Sequence, residues 1–293
     1  MKARWVEGEE LQKVWHALPH ADVPFAEWTW WEALQEKWGA ILIEEEGAPV
    51  GLWPLTARQI GLFRLFRQPL ILPWLPIRLR EPLPPSPEKR YRYQAPVLRA
   101  LGKWIAQKRL SYFAAALPPE WSYAPPFYQE RVSPYARGSF VLFPGRFSPS
   151  TELKRKVRQA ETLDLTPLSP SDALSLWTLY RPAGVREKAV RYLQSLTSQP
   201  SLPWRAWGVG NPPQAVGIFL WGATRVWYVA GARIGKETGQ AMTRLLHAII
   251  QQALQEDKIF DFMGSLLPGV ERFFRQFGGM WETYYYISAW RFW

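Results

Sequence analysis

IFDFMGSLLPGVERFFRQFGG, residues Ile259–Gly279, decides the fold of this chain. It begins as a short apolar strand with one carboxylate in it, Asp261. It turns at Gly264-Ser265, and Pro268-Gly269 then opens a helix carrying Arg272 and Arg275. Gly278-Gly279 stops that helix in the manner of a C-cap. A lone carboxylate is costly to bury, so Asp261 needs a partner. Arg272 and Arg275, on the next helix, are the expected ones; the other role open to Asp261 is that of a catalytic base. Ser265 reads either as a turn former or as a hydroxyl set among backbone N–H groups at a reacting site.

Working outward, the C-terminal half reads as helix 150–163, helices 171–180 and 187–197, and strands 204–209, 215–221 and 225–230. A long helix 238–256, strand 258–263, helix 270–277 and a closing aromatic strand 281–290 follow. The N-terminal half reads as helices 8–18 and 25–37, strands 40–44 and 50–57, a proline-rich stretch 69–87, helix 88–108, and strands 110–117 and 138–143. The halves share a pattern. Pro49-Val50-Gly51-Leu52-Trp53 matches Ala215-Val216-Gly217-Ile218-Phe219. Helix 97–108 with strand 110–115 mirrors helix 238–256 with strand 258–263. The expectation is two copies of one α/β unit, residues 1–145 and 146–293.

The 293 residues hold no cysteine, which removes disulfides, thiol nucleophiles and thiolate zinc sites. No run reaches the ~18 apolar residues of a membrane helix, and the N-terminus shows no apolar signal region. A cytoplasmic location is the expectation. The formal charge of +11 favours anionic partners, whether phosphorylated donors, acceptors or lipid head groups. No motif for sequence-specific nucleic-acid recognition is present. The 18 tryptophans read as core filling or as a wet-edged binding surface, including a peripheral membrane contact.

The stretch 259–279 resembles the C-terminal signature of FemABX-like acyltransferases of the GNAT superfamily. There a Phe-Asp-Phe strand leads through Gly-Ser and Pro-Gly into a helix ending Phe-Gly-Gly. Leu153–Glu161 is similar to the family's basic helix, and Val216-Gly217, Trp227-Tyr228 and Gly231 follow its order. The resemblance implies an α/β (α+β) fold of two tandem GNAT-like units, each a mixed twisted sheet flanked by helices. It implies N-acyl or aminoacyl transfer to an amine without a covalent enzyme intermediate. The implied donor is acyl-CoA or aminoacyl-tRNA, with no resident cofactor, and a cell-wall acceptor is one option. Family members that use aminoacyl-tRNA carry Phe-Lys in the last helix; Phe273-Phe274 stand here. The alternative is a non-catalytic GNAT-like module that binds an anionic partner or membrane through a basic, Trp-rich face.

Acyl transfer by such a fold needs a proton acceptor, oxyanion donors and an anion clamp. The catalytic candidates are Asp261, Ser265 and Tyr228. Lys154, Arg155 and Arg158 on the basic helix are candidates for gripping phosphate, or else a solvated face. Gly235, Lys236 and Thr238 form a second anion site before a helix N-terminus, or a plain capped loop. Arg272, Phe274, Arg275 and Tyr284 are the substrate-binding candidates. His16 and His20 have helical ligand spacing but no further ligand, so no metal site is expected. Oligomeric state is not readable from the sequence.

Overall fold

The computed structural model describes residues 1–18, 23–109, 111–181, 184–235, 239–264 and 268–291, with Gly239, Pro268 and Arg291 described by their backbone alone. The chain forms two compact units. The first takes Met1–Ala21, Phe25–Arg137 and Thr283–Trp293, and the second Asp22–Pro24 and Gly138–Glu282. The division therefore differs from the one expected at 145/146. The reason is strand pairing: Tyr286–Arg291 pair antiparallel with Ala116–Ser111, which makes the end of the chain part of the first unit.

The first unit runs β1 (Lys2–Val6), α1 (Gly8–Ala17), a 3-10 turn (Pro24–Ala26), α2 (Trp28–Ala33), β2 (Trp38–Glu45), β3 (Ala48–Ile60), β4 (Phe63–Arg67), β5 (Arg78–Leu79), α3 (Pro87–Gln107), β6 (Ser111–Ala116), α4 (Pro125–Gln129) and β7 (Pro134–Leu142). Its strands lie in the order β1-β2-β3-β4-β6, with β5 on β3. β4 and β6 are parallel, with α3 as the crossover between them. Two of these strands, β1 and β4, are missed by periodicity because Lys2-Ala3-Arg4 and Phe63-Arg64 look like surface. The expected helix 25–37 is shorter than its pattern, since Gln35 turns left-handed at φ 52.

The tryptophans fill cores. Trp15, Trp30, Trp31, Trp53, Trp121 and Trp227 are fully buried, while Trp281 and Trp290 are half exposed. Of the two readings open to the tryptophans, these six follow core filling. Trp104, in the buried stripe of α3 with Val97, Leu101 and Ile105, meets Phe66 edge to face at 5.1 Å. Arg78 is wholly buried. Its guanidinium donates to the carbonyls of Ala26 (2.7 Å), Trp15 (3.0 Å) and Leu18 (3.1 Å) and lies 4.4 Å over the Trp15 ring. Burial pushes its pKa down to about 10. It ties α1 and the 3-10 turn to β5.

The second unit runs on through the end of β7, α5 (Thr151–Gln159), β8 (Leu165–Leu168), α6 (Pro170–Tyr180), α7 (Glu187–Thr197), β9 (Trp204–Val209), β10 (Ala215–Trp221), β11 (Arg225–Arg233), α8 (Gly239–Gln255), β12 (Ile259–Asp261), α9 (Pro268–Arg275) and β13 (Met280–Arg291). From β7 the strand order is β12-β11-β10-β9-β8. β10 is buried along its whole length, as its seven apolar or small residues require. Leu245, Leu246, Ile249, Ile250 and Ala253 of α8 are all buried, as the helical spacing predicts. Both units contain the succession hairpin, strand, helix, parallel strand, helix, strand: β2-β3-β4-α3-β6-α4-β7 and β9-β10-β11-α8-β12-α9-β13. Gly51 and Gly217, matched in the sequence, both lie in the second strand of the hairpin.

Candidate functional site: an open strand edge and its buried brace

β11 and β12 begin side by side and then part. They pair in parallel only at Arg225↔Ile259, Val226↔Phe260 and Trp227↔Asp261. β11 continues to Arg233 and stays paired with β10 throughout, whereas β12 ends at Asp261. Among the described residues, no backbone hydrogen bond continues the β11–β12 ladder past Trp227. Tyr228–Arg233 thus keep a strand edge whose N–H and C=O groups can pair with an extended ligand. This edge lies at the carboxyl end of β11, and α8 starts shortly after it, so the positive end of the helix lies on the same side.

Tyr228 stands where the edge opens. Its ring packs edge to face on Phe274 (6.0 Å) and tilts against Phe219 (5.5 Å), and its hydroxyl reaches Met242 Sδ at 3.6 Å. Burial pushes the phenol well above its ordinary pKa, so it is a proton donor at neutral pH. A Cβ on Gly231 would collide with the Tyr228 hydroxyl. Glycine at 231 is what leaves room for that hydroxyl.

A buried polar network braces the point of divergence. Asp261, 1% exposed, accepts from Ser139 Oγ (2.5 Å), from the Met263 N–H (2.7 Å) and from Arg225 Nη1 (2.8 Å). Arg225 also grips Glu282 with two bonds of 2.6 and 3.0 Å. Burial alone would lower the Arg225 pKa; Glu282 and Asp261 outweigh it and hold the guanidinium above its ordinary value. Ser139 Oγ accepts in turn from the Gly264 N–H at 2.8 Å. Met263 and Gly264 are consecutive left-handed residues, φ 59 and 70. A Cβ at 264 would sit 2.8 Å from the Gly138 carbonyl, so only glycine fits that turn. The carboxylate of Asp261 therefore fixes the turn that leads the chain away from β11.

Asp261 does not pair with Arg272 or Arg275, and the expectation that it would is corrected. Phe274 of α9 and Phe277 in the turn just after it are both buried, which turns Arg272 and Arg275 outward. Arg275 lies 3.7 Å from Glu271 on its own helix. Phe274 is a core residue, stacked on Phe262 at 4.4 Å. Tyr284 belongs to the first unit, where it is buried.

The basic helix α5 is brought to the start of α8, where Gln240 donates to Gln159 at 3.2 Å. On α5, Arg155 is held in a two-bond pair with Glu152 (3.0 and 2.8 Å). Lys154 and Arg158 are exposed and have no acidic partner among the described residues. Gly235 lies beyond β11 with φ 91. Ser265, Lys236, Thr238 and His20 lie outside the described residues. His16 stacks on Trp28 at 6.1 Å. Among the described residues there is no cluster of acids and histidines fit to hold a metal, and no helix long and apolar enough to cross a membrane.

No protein-family model and no curated protein sequence matches this chain. Solved structures do match it in fold. FemX superposes with a TM-score of 0.59 at 10% identity, covering 98% of this chain and 97% of that one. L-PGS from Bacillus licheniformis gives 0.54 at 12% identity, covering 96% and 91%. A tandem GNAT protein from the clavulanic acid biosynthesis pathway gives 0.50 at 9%, covering 98% of each chain. The chain has the tandem GNAT fold. Of the candidates named from the sequence, Asp261 and Tyr228 lie at the open edge of β11; Arg225, Ser139 and Glu282, which brace it, were not among them. Arg225 was visible as a cation opening an otherwise apolar strand, Arg225–Ala230.

Proposed function

We propose that the second GNAT unit binds a phosphate-bearing acyl donor and passes its acyl or aminoacyl group directly to an amine. The observation that carries this reading is the open edge Tyr228–Arg233 beside the start of α8, in a fold shared with FemX and L-PGS. The donor's acyl arm lies along the edge of β11, as a strand would. Its phosphates meet the first turn of α8 and the unpaired charges of Lys154 and Arg158. The attacking amine nitrogen bonds to the acyl carbon, a strand-edge N–H stabilises the oxyanion, and the thiolate or alkoxide leaves. Tyr228, kept protonated by burial, gives its proton to that leaving group and is reprotonated by the proton that the amine nitrogen sheds as the amide forms. Asp261 is a positioning residue for the 263–264 turn: its carboxylate accepts from the Met263 N–H in the turn, from Ser139 Oγ and from Arg225.

Acyl-CoA and aminoacyl-tRNA share this chemistry, an acyl ester or thioester on a polyanion. A thermal-shift panel of CoA thioesters and aminoacyl-tRNAs separates them. A donor at about 100 times its Kd stabilises by roughly 2.7 kcal/mol. Replacing Lys154 and Arg158 together by glutamine should abolish most of that shift. If no donor of either class stabilises the protein, the reading fails.

A further inference from the structure

The β3–β4 hairpin ends in an apolar tip. Ile60 pairs with Phe63 across a two-residue turn, Gly61-Leu62, with Gly61 left-handed at φ 56. Leu62 is 79% exposed, Ile60 51% and Phe63 37%. A two-residue hairpin turn is normally built from Asn, Asp and Gly, so the turn geometry gives no reason for leucine here.

Cations ring this tip. The next rows of the hairpin are Gln59↔Arg64 and Arg58↔Leu65. The run Ala57–Arg67 holds Arg58, Arg64 and Arg67 and no acid. β6 starts alongside, with Ser111 paired to Arg64, and exposed Lys108 and Arg109 come just before it. One row further in, Leu65 pairs with Tyr112 and Tyr112 with Trp290. Trp290 is 56% exposed and its ring lies 4.4 Å from that of Tyr112. The acid whose charge reaches Arg64, Glu7, is already bonded to Lys37 and Trp5.

We propose that this end of the first unit docks on a bilayer surface containing anionic phospholipid. Ile60, Leu62 and Phe63 enter the boundary between head groups and acyl chains, and Arg58, Arg64, Lys108 and Arg109 meet lipid phosphates. A stable protein partner needs roughly 800 Å² per side, whereas three side chains on a protruding turn offer a narrow wedge. Apolar insertion combined with basic residues is the pairing of signals that holds a protein on an anionic membrane. The overall charge of +11 brings the protein to such a surface. This inference is independent of acyl transfer.

Sedimentation of the full chain with vesicles, in the absence of any donor, tests it. The protein should bind vesicles of phosphatidylcholine mixed with phosphatidylglycerol and not those of phosphatidylcholine alone. I60S/L62S/F63S should reduce binding by at least about tenfold. R58Q/R64Q should reduce it roughly fivefold per arginine. K89Q/R92Q removes the same charge roughly 24–28 Å from Lys108 along α3 and should leave binding unchanged. All the altered side chains are exposed, so the variants should melt like the parent. The proposal is overturned if the parent ignores anionic vesicles or if the serine variant binds as well as the parent. It is equally overturned if the serine variant changes oligomeric state at unchanged vesicle binding, which makes the tip a contact between copies.

Discussion

The two units carry the same parallel strand pair and treat it in opposite ways. In the first unit β4 and β6 pair over four rows, from Arg64↔Ser111 to Arg67↔Ala114. Where they would part, the chain seals the gap with itself. Gln68 N–H donates to the Ala114 carbonyl, the Gln68 amide oxygen accepts from the Ala116 N–H at 2.7 Å, and the Leu75 N–H donates to the Ala116 carbonyl at 3.0 Å. The Gln68 amide group donates in turn to the Leu72 carbonyl at 2.8 Å. In the second unit β11 and β12 pair over three rows, and the described residues put nothing of the kind beside Tyr228–Arg233. The proline-rich stretch 69–87 is thus the plug of the first unit. A segment rich in proline has few N–H groups of its own to satisfy, which suits it to lining a gap without becoming a strand. One fold supplies two divergent strand pairs, one closed by the chain itself and the other, among the described residues, left open.

The sharpest way to break the comparison is to remove the brace of the open pair. Arg225→Met leaves the buried Asp261 and the half-buried Glu282 side by side without their cation. It should destabilise the protein by about 3–5 kcal/mol, read as a fall in the urea midpoint. Asp261→Asn keeps an acceptor for Ser139 and Met263 and should cost less. If Arg225→Met melts like the parent, the network does not hold the strands apart.

Gln68→Leu attacks the closed pair. It strands the buried Ala116 N–H and should cost about 1–3 kcal/mol, with transfer per folded molecule unchanged. A loss of transfer without a loss of stability would place the site in the first unit.

Gly231→Ala tests the open edge itself. Its new Cβ lands on the Tyr228 hydroxyl and forces the ring aside. Donor turnover should drop roughly 10²-fold while the melting temperature moves little. Tyr228→Phe should lower kcat and leave donor binding intact.

The smallest effect concerns pH. Burial, with the nearby Arg244 charge, holds the His247 pKa below its ordinary value. The folded state therefore keeps this histidine neutral. As pH falls through about 6.5, the unfolded chain gains a proton that the folded one refuses, so stability declines on the acid side. His247→Leu should flatten that decline in melts between about pH 7 and 5.

Much of the fold was legible because long apolar patterns dominate it. The helices around Leu101–Ile105 and Leu245–Ala253 and the strand Ala215–Trp221 bury the residues that their spacing indicates. The chain boundary was not, because the last strand is recruited by a pairing with β6 that no local pattern encodes. The Asp261 brace was half legible. A carboxylate in an apolar strand announces a partner, but Arg225 lies 36 residues away and Ser139 lies 122 away, and local sequence offers Arg272 and Arg275 first. The tryptophans left two readings open, core or wet surface, because their number alone carries no direction; packing puts Trp15, Trp30, Trp31, Trp53, Trp121 and Trp227 in the core.

A donor is expected to add itself to the free edge of β11. Amide hydrogen exchange on the full chain, with and without saturating acetyl-CoA or aminoacyl-tRNA, tests it most directly. Protection should rise in Tyr228–Arg233 and in the last turn of α5, while Ala114–Ala116 of the first unit should stay as they are. Protection at Ala114–Ala116 instead, or a bound donor that leaves Tyr228–Arg233 unchanged, would contradict the account.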